Sequence, residues 1–85
     1  ISVKVHKFDF RACGMAWIID EAEGFIKVIS NRDTQEVIGA SIIGPLASEL
    51  IAIFSVAISA RLTASQIRAV IFAHPTLAES INDVF

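Results

Sequence analysis

The segment EVIGASIIGPLASELIAIFSVAISA (residues 36–60) changes its period partway along. Residues 36–44 are rich in β-branched side chains and fit a strand, with Gly39 allowing a bulge or a close backbone approach. Gly44-Pro45 ends that pattern. From Leu46 onward the spacing is helical. Ser48, Ala52, Ser55 and Ser59 line one face, and Leu50, Ile51, Phe54, Ala57 and Ile58 fill the opposite side. The small-residue stripe would let another backbone come close. Few positions are left for water, so this helix is expected to be covered on several faces.

The first half of the chain reads as strands. In ISVKVHKFDF (1–10), Ile1, Val3 and Val5 share one parity, and Ser2, Lys4 and His6 the other. That is the period of a strand, with His6 on its solvated side. Phe8 and Phe10 break the parity, which predicts a bulge or strand end near Lys7. MAWII (15–19) is a second strand candidate, and Trp17 within it is read as a packing residue. DEAEG (20–24) is a turn, FIKVIS (25–30) another strand, and NRDT (31–34) another turn. Short connections favour antiparallel hairpins. After residue 60, Thr63-Ala-Ser-Gln66 and Thr76-Leu-Ala-Glu79 both have capping-box spacing. Apolar stripes follow them at Ile67, Val70 and Ile71, and at Leu77, Ile81 and Val84. The expected architecture is α+β, an antiparallel sheet followed by three helices packed on it.

A chain of 85 residues forms one domain, and such a chain buries about 60–65% of its unfolded surface. Yet 54% of its residues are hydrophobic and the mean hydropathy is +0.64. This excess predicts a missing partner, either a second copy or the rest of a larger protein. The start at Ile1 and the helical-looking stop at Phe85 fit the latter. A net charge of −2 supplies no basic field for nucleic acid. The lone Cys13 suits a reducing compartment, and the alternating N-terminus lacks a signal-peptide core. The most apolar run, residues 50–60, is shorter than the ~20 residues that a bilayer needs.

The stretch AHPTLAES (73–80) carries the candidate chemistry. In one reading Glu79 completes a capping box and His74 simply precedes it. In the other, His74 and Glu79 form a hydrogen-bonded acid–base pair: the carboxylate fixes one ring nitrogen and the other trades protons. The two are compatible, because Glu79 has two oxygens. Pro75 restricts the backbone, and a cis His-Pro bond is one of its options. Cys13 reads as a small buried hydrophobe rather than a nucleophile. Glu49 favours the N-terminal dipole of the long helix, or meets Arg61 or Arg68 at an interface. No group has metal-site spacing, and there is no GxGxxG, P-loop or GxSxG. If His74 does chemistry, the reacting centre must come from outside these residues.

FDF (8–10), GFIKVI (24–29), VIGASIIGPLASELI (37–51) and above all AHPTLAES (73–80) make the chain resemble the C-terminal dimerisation domain of the FAD-dependent pyridine nucleotide–disulfide oxidoreductases. Within that family it is most similar to the dihydrolipoyl dehydrogenases, since glutathione-reductase relatives usually carry a serine where Leu77 stands. The resemblance spans nearly the whole chain and implies that residues 1–85 are the interface domain of a larger flavoprotein. It implies that His74 is the catalytic acid–base and Glu79 its partner, offered to the flavin and redox disulfide of the other subunit. It also implies a cis His74-Pro75 bond with nearby backbone approaching that flavin. The implied cofactors are FAD and NAD, held by the intact enzyme and not by this piece, which should be inactive alone. The implied partners are a second copy of the chain and the lipoyl-bearing subunits of 2-oxoacid dehydrogenase or glycine cleavage complexes. The setting would be the cytoplasm, or the mitochondrial matrix in a eukaryote. Three positions depart from the family pattern: Asp9 for a proline, Met15 for an arginine, and Phe72 for a second histidine. A glutathione- or mercuric-reductase-like enzyme and a freestanding self-association module are the alternatives.

Overall fold

The computed structural model describes residues 1–85. Strands β1 (Val3–Asp9), β2 (Phe25–Asn31) and β3 (Val37–Ile43) form one antiparallel sheet in that order. Helix α1 (Gly14–Ile18) lies in the β1–β2 connection, and α2 (Ala47–Ser59), α3 (Ala64–Arg68) and α4 (Glu79–Asp83) follow the sheet. The architecture is α+β, as expected, with α2 packed mainly against β3.

The register corrects the reading of β1. Lys4, His6 and Phe8 stand opposite Ser30, Val28 and Ile26, and paired residues share a face of the sheet. Ile26, Val28 and Ser30 are buried, so the even residues of β1 lie on the core side. Val3 and Val5 lie on the far side, 37% and 55% exposed. A strand has only two faces to offer. Phe8 brings a larger apolar surface inward than a valine would, and its ring meets that of fully buried Phe10 edge-on at 6.4 Å. No bulge occurs at Lys7, where the β1–β2 register runs unbroken. The irregularity sits beside Gly39 instead. Ile29 faces Gly39 while Ser30 faces Val37, so Ile38 is the extra residue.

MAWII is not a strand. Asp9 caps a 3-10 turn over Phe10–Ala12 by accepting from the Arg11 N–H at 2.9 Å, and the chain runs straight on into α1. A short apolar run fits a strand or a helix equally well, and here the capped turn decides. Nor does Trp17 pack in the core. It is 60% exposed, with its indole N–H donating to the Arg11 carbonyl at 2.7 Å.

Two glycines close the connections around β2 and β3. Gly24 has φ +106°, and a Cβ there would lie 1.9 Å from the Ile43 carbonyl oxygen. Gly44 has φ +146°, and a Cβ there would lie 2.7 Å from the Phe10 ring. Farther along, the link from α2 to α3 is sewn onto the sheet. Val37 N–H donates to the Leu62 carbonyl at 3.0 Å, and Ala64 N–H to that of Gln35 at 2.8 Å.

The capping box at α3 forms as expected, with Thr63 Oγ1 accepting from Gln66 N–H and Gln66 Oε1 from Thr63 N–H. The apolar stripe behind it does not continue. The helix stops at Arg68, leaving Val70 45% and Ile71 96% exposed. Asn82 of α4 explains the stop: its amide donates to the carbonyls of Arg68 (2.6 Å) and Val70 (3.0 Å). Those carbonyls are thus satisfied without further helical turns.

The accessible surface is 5124 Å², close to the ~4,900 Å² typical of a folded 9.2 kDa monomer. The high hydropathy therefore does not come from an open fold. It comes from apolar side chains left outside, among them Val56 (68% exposed) on α2 and Ile43 (59%) on the outer face of the sheet. Contrary to the expectation of cover on several faces, α2 buries only the side bearing Leu50, Phe54 and Ala57 within this chain, and its Ser48–Ser59 stripe is exposed.

Candidate functional site

Residues 69–78 form an extended loop between α3 and α4, held at several points. Thr76 Oγ1 donates to the Ala73 carbonyl at 2.7 Å and accepts from Glu79 N–H at 3.2 Å. The thiol of buried Cys13 lies 3.8 Å from the Thr76 carbonyl, toward which it donates. Asn82 ties down the other end of the loop. The His74-Pro75 peptide bond is cis.

This loop places the imidazole of His74 against the carboxylate of Glu79. Nδ1 lies 2.8 Å from Oε2 and 3.0 Å from Oε1. The arrangement fixes the tautomer, because a carboxylate can only accept and Nδ1 must carry the proton. Nε2 makes no hydrogen bond within the chain, and the His74 side chain is 77% exposed while that of Glu79 is 20% exposed. The pair borders an open depression of about 510 Å³, lined also by Ala12, Gly14, Val70, Ile71, Phe72, Asn82 and Asp83. Chemically, this is an oriented imidazole–carboxylate pair on an exposed side chain, beside a depression of mixed polar and apolar lining.

Parts of both readings of Thr76–Glu79 are present. Only half of the capping box forms: Thr76 accepts from Glu79 N–H, but the Glu79 carboxylate turns to His74 instead of back to the Thr76 backbone.

The other singled-out residues fall elsewhere. Cys13 is buried, 3% exposed, as a small core residue. His6 is not solvated. It is half-buried, with Nε2 3.1 Å from Ser30 Oγ and its ring edge-on to Phe85. Burial lowers the His6 pKa below the usual 6.5, and the Lys4 ammonium lowers it further. Glu49 stays exposed in the first turn of α2, and Arg61 pairs with Glu36 at 3.1 Å. Asp9 both caps the 3-10 turn and pairs with Arg11 at 2.9 Å, and hydrogen bonds from Arg11 hold its carboxyl below the usual range. Met15 and Phe72 pack half-buried against the core, Phe72 also lining the His74 depression. Sequence reasoning missed Asn82, which anchors the loop from 12 and 14 residues away. No local pattern marks such a contact.

Residues 1–85 match the pyridine nucleotide-disulphide oxidoreductase dimerisation domain. The chain belongs to that family. It is 51% identical over 79 residues to the dihydrolipoyl dehydrogenase of Chlamydia trachomatis, which covers 93% of this chain and 17% of that protein. It is 44% identical, with the same coverage, to the dihydrolipoyl dehydrogenase of Geobacillus stearothermophilus. Among solved structures it is similar to the HOCl-induced flavoprotein disulfide reductase RclA of Escherichia coli, with a TM-score of 0.92 and 31% identity over 98% of this chain and 19% of that one. LpdA of Mycobacterium tuberculosis gives a TM-score of 0.93 at 28% identity, over 99% of this chain and 18% of that one. The chain thus spans about a sixth of the length of the dihydrolipoyl dehydrogenases it matches. It is a dimerisation domain of the pyridine nucleotide-disulphide oxidoreductase family, and it resembles the corresponding part of dihydrolipoyl dehydrogenases.

Proposed function

We propose that this dimerisation domain is part of a larger NAD-dependent dihydrolipoyl dehydrogenase and donates its His74–Glu79 pair to the active site of a partner subunit. The observation that carries the reading is the imidazole held by Glu79 at 2.8 Å with its second nitrogen exposed. Nε2 takes the proton from a thiol of dihydrolipoamide. The thiolate so formed attacks a redox disulfide supplied by the rest of the protein, forming a mixed disulfide and releasing the other cysteine sulfur. Glu79 Oε2 stabilises the imidazolium while Nε2 holds the proton. FAD, when bound, supplies the electron-transfer chemistry that ends at NAD⁺.

In this reading FAD and NAD are held by other domains of the intact protein. This chain fits a docked flavin through the exposed His74-Pro75 segment, whose two carbonyls accept no hydrogen bond within the chain and are open to a polar ring edge. The proposed partners are a second copy of the chain and lipoyl-bearing subunits of a 2-oxoacid dehydrogenase or glycine cleavage complex, in the cytoplasm. No helix is long and apolar enough to cross a membrane. A second reading, a flavin disulfide reductase of another substrate, draws on the match to RclA. The higher identity to dihydrolipoyl dehydrogenases favours the first.

The test is His74→Gln in the intact protein. Turnover of dihydrolipoamide should fall by roughly 10²–10⁴-fold, with FAD content and dimer mass unchanged. Near-normal turnover removes the catalytic role. Activity on a different disulfide, with none on dihydrolipoamide, selects the second reading.

A further inference from the structure

A second depression, of about 320 Å³, lies between the Lys4–His6 end of β1, the turn after β2, α3 and Phe85. It shares no lining residue with the depression at His74. Lys4, Arg32 and Arg68 all line it, and no carboxylate side chain does. None of these three cations has an ion-pair partner: the pairs in the chain are Asp9–Arg11, Glu36–Arg61 and His74–Glu79. In a chain with nine acidic and seven basic residues, three basic side chains and no acidic one around one small hollow is a local reversal of side-chain charge. Like charges gathered without a counter-ion repel one another, and a bound anion relieves that repulsion.

Hydrogen bonding points the same way. The oxygen of the Asn31 side chain is already engaged, accepting from Asp33 N–H at 2.8 Å and Thr34 N–H at 3.1 Å. Those two donors fix the amide's orientation and leave its NH₂ free. The side-chain oxygen of Gln35 accepts from Ser65 Oγ at 2.6 Å, which leaves its NH₂ free as well. The Arg32 guanidinium is steadied by one bond to the Val3 carbonyl at 3.0 Å, with its other N–H groups unspent. The side-chain acceptors of Asn31 and Gln35 are therefore in use, while the groups left over are donors.

We propose that this depression binds a small phosphate-bearing anion. Two guanidinium groups, an ammonium and two amide NH₂ groups, drawn from β1, the end of β2 with its following turn, and α3, suit a compact dianion with several oxygens better than a single planar carboxylate. The overall charge of −2 does not attract such a ligand from a distance, so recognition is short-range and sensitive to salt. The volume suits a phosphate group with a small substituent. The proposal does not depend on the role of His74.

Titration calorimetry on the intact protein at low ionic strength tests it, with inorganic phosphate and glycerol 3-phosphate as ligands and sodium chloride as the ionic-strength control. Saturable binding is expected. Arg32→Gln with Arg68→Gln should weaken it about tenfold or more, and Arg68→Gln alone should weaken it by less. Arg61→Gln, whose partner Glu36 is outside the depression, should leave it unchanged. Tighter binding of inorganic phosphate points to the free ion as ligand, and tighter binding of the ester to a phosphorylated metabolite. Circular dichroism shows that each variant is folded. No saturable heat beyond chloride, or undiminished binding by the folded double variant, overturns the proposal.

Discussion

His74 and Glu79 meet because the loop between them is held from both sides, by Thr76 on itself and by Cys13 across the chain. The Glu79 carboxylate serves His74 and not the helix backbone, which separates two effects that the sequence alone leaves entangled. Glu79→Gln is therefore expected to lower turnover of the intact protein, by less than His74→Gln, while shifting the melting temperature by under about 2 °C, since no cap bond is lost. Differential scanning calorimetry beside steady-state rates checks this, and a large melting shift with an unchanged rate would contradict it. His6 offers a pH test. Its folded pKa is below its ordinary 6.5, so the folded state prefers the neutral ring. Its contribution to stability is present above about pH 6.5 and is lost as pH falls through the lowered value. Burial against Ser30 and Phe85 causes this, with Lys4 adding to it. The urea midpoint should fall between pH 7.5 and pH 5, and His6→Gln should flatten that fall. An identical slope in the variant would assign the loss to other groups.

At the scale of elements, the joints are more demanding than the helices. Gly24 joins the α1 loop to β2 where a methyl group would collide with the Ile43 backbone at 1.9 Å. The colliding atom is a carbonyl oxygen at the end of a paired strand, so it cannot swing aside. Gly24→Ala should destabilise the fold by about 1–3 kcal/mol, read as a lower denaturation midpoint. A change of less than about 0.5 kcal/mol would mean that this turn relaxes freely. Much at this scale was legible. The switch of period at Gly44-Pro45, the FIKVIS strand, the NRDT turn and the Thr63 capping box all follow from short-range chemistry, whereas DEAEG is the irregular link from α1 to β2 and not a hairpin turn. MAWII was not legible, because five apolar residues suit either structure and Asp9 decides between them through a cap. The stripe after Ile67 ended early because Asn82, on another helix, occupies the carbonyls that a longer helix would have used.

For the whole molecule, the question is what covers α2. Its exposed side combines small residues with Val56, 68% exposed, on a domain whose family self-associates. Val56→Asp in the intact protein should weaken the dimer roughly 100-fold or more, since a charge buried without a partner costs several kcal/mol. Light scattering should report a folded monomer, and an unchanged dimer would place the interface elsewhere. By itself the sequence determined the α+β order, the start of α2 after Gly44-Pro45 and the Thr63 cap of α3, because periodicity and caps act within a few residues. Tertiary structure alone decided which face of β1 turns inward, which partner the Glu79 carboxylate takes, and how Lys4, Arg32 and Arg68 come to share one hollow. Each of those outcomes depends on strand register or on contacts between distant segments, and such interactions exist only once the chain has closed on itself.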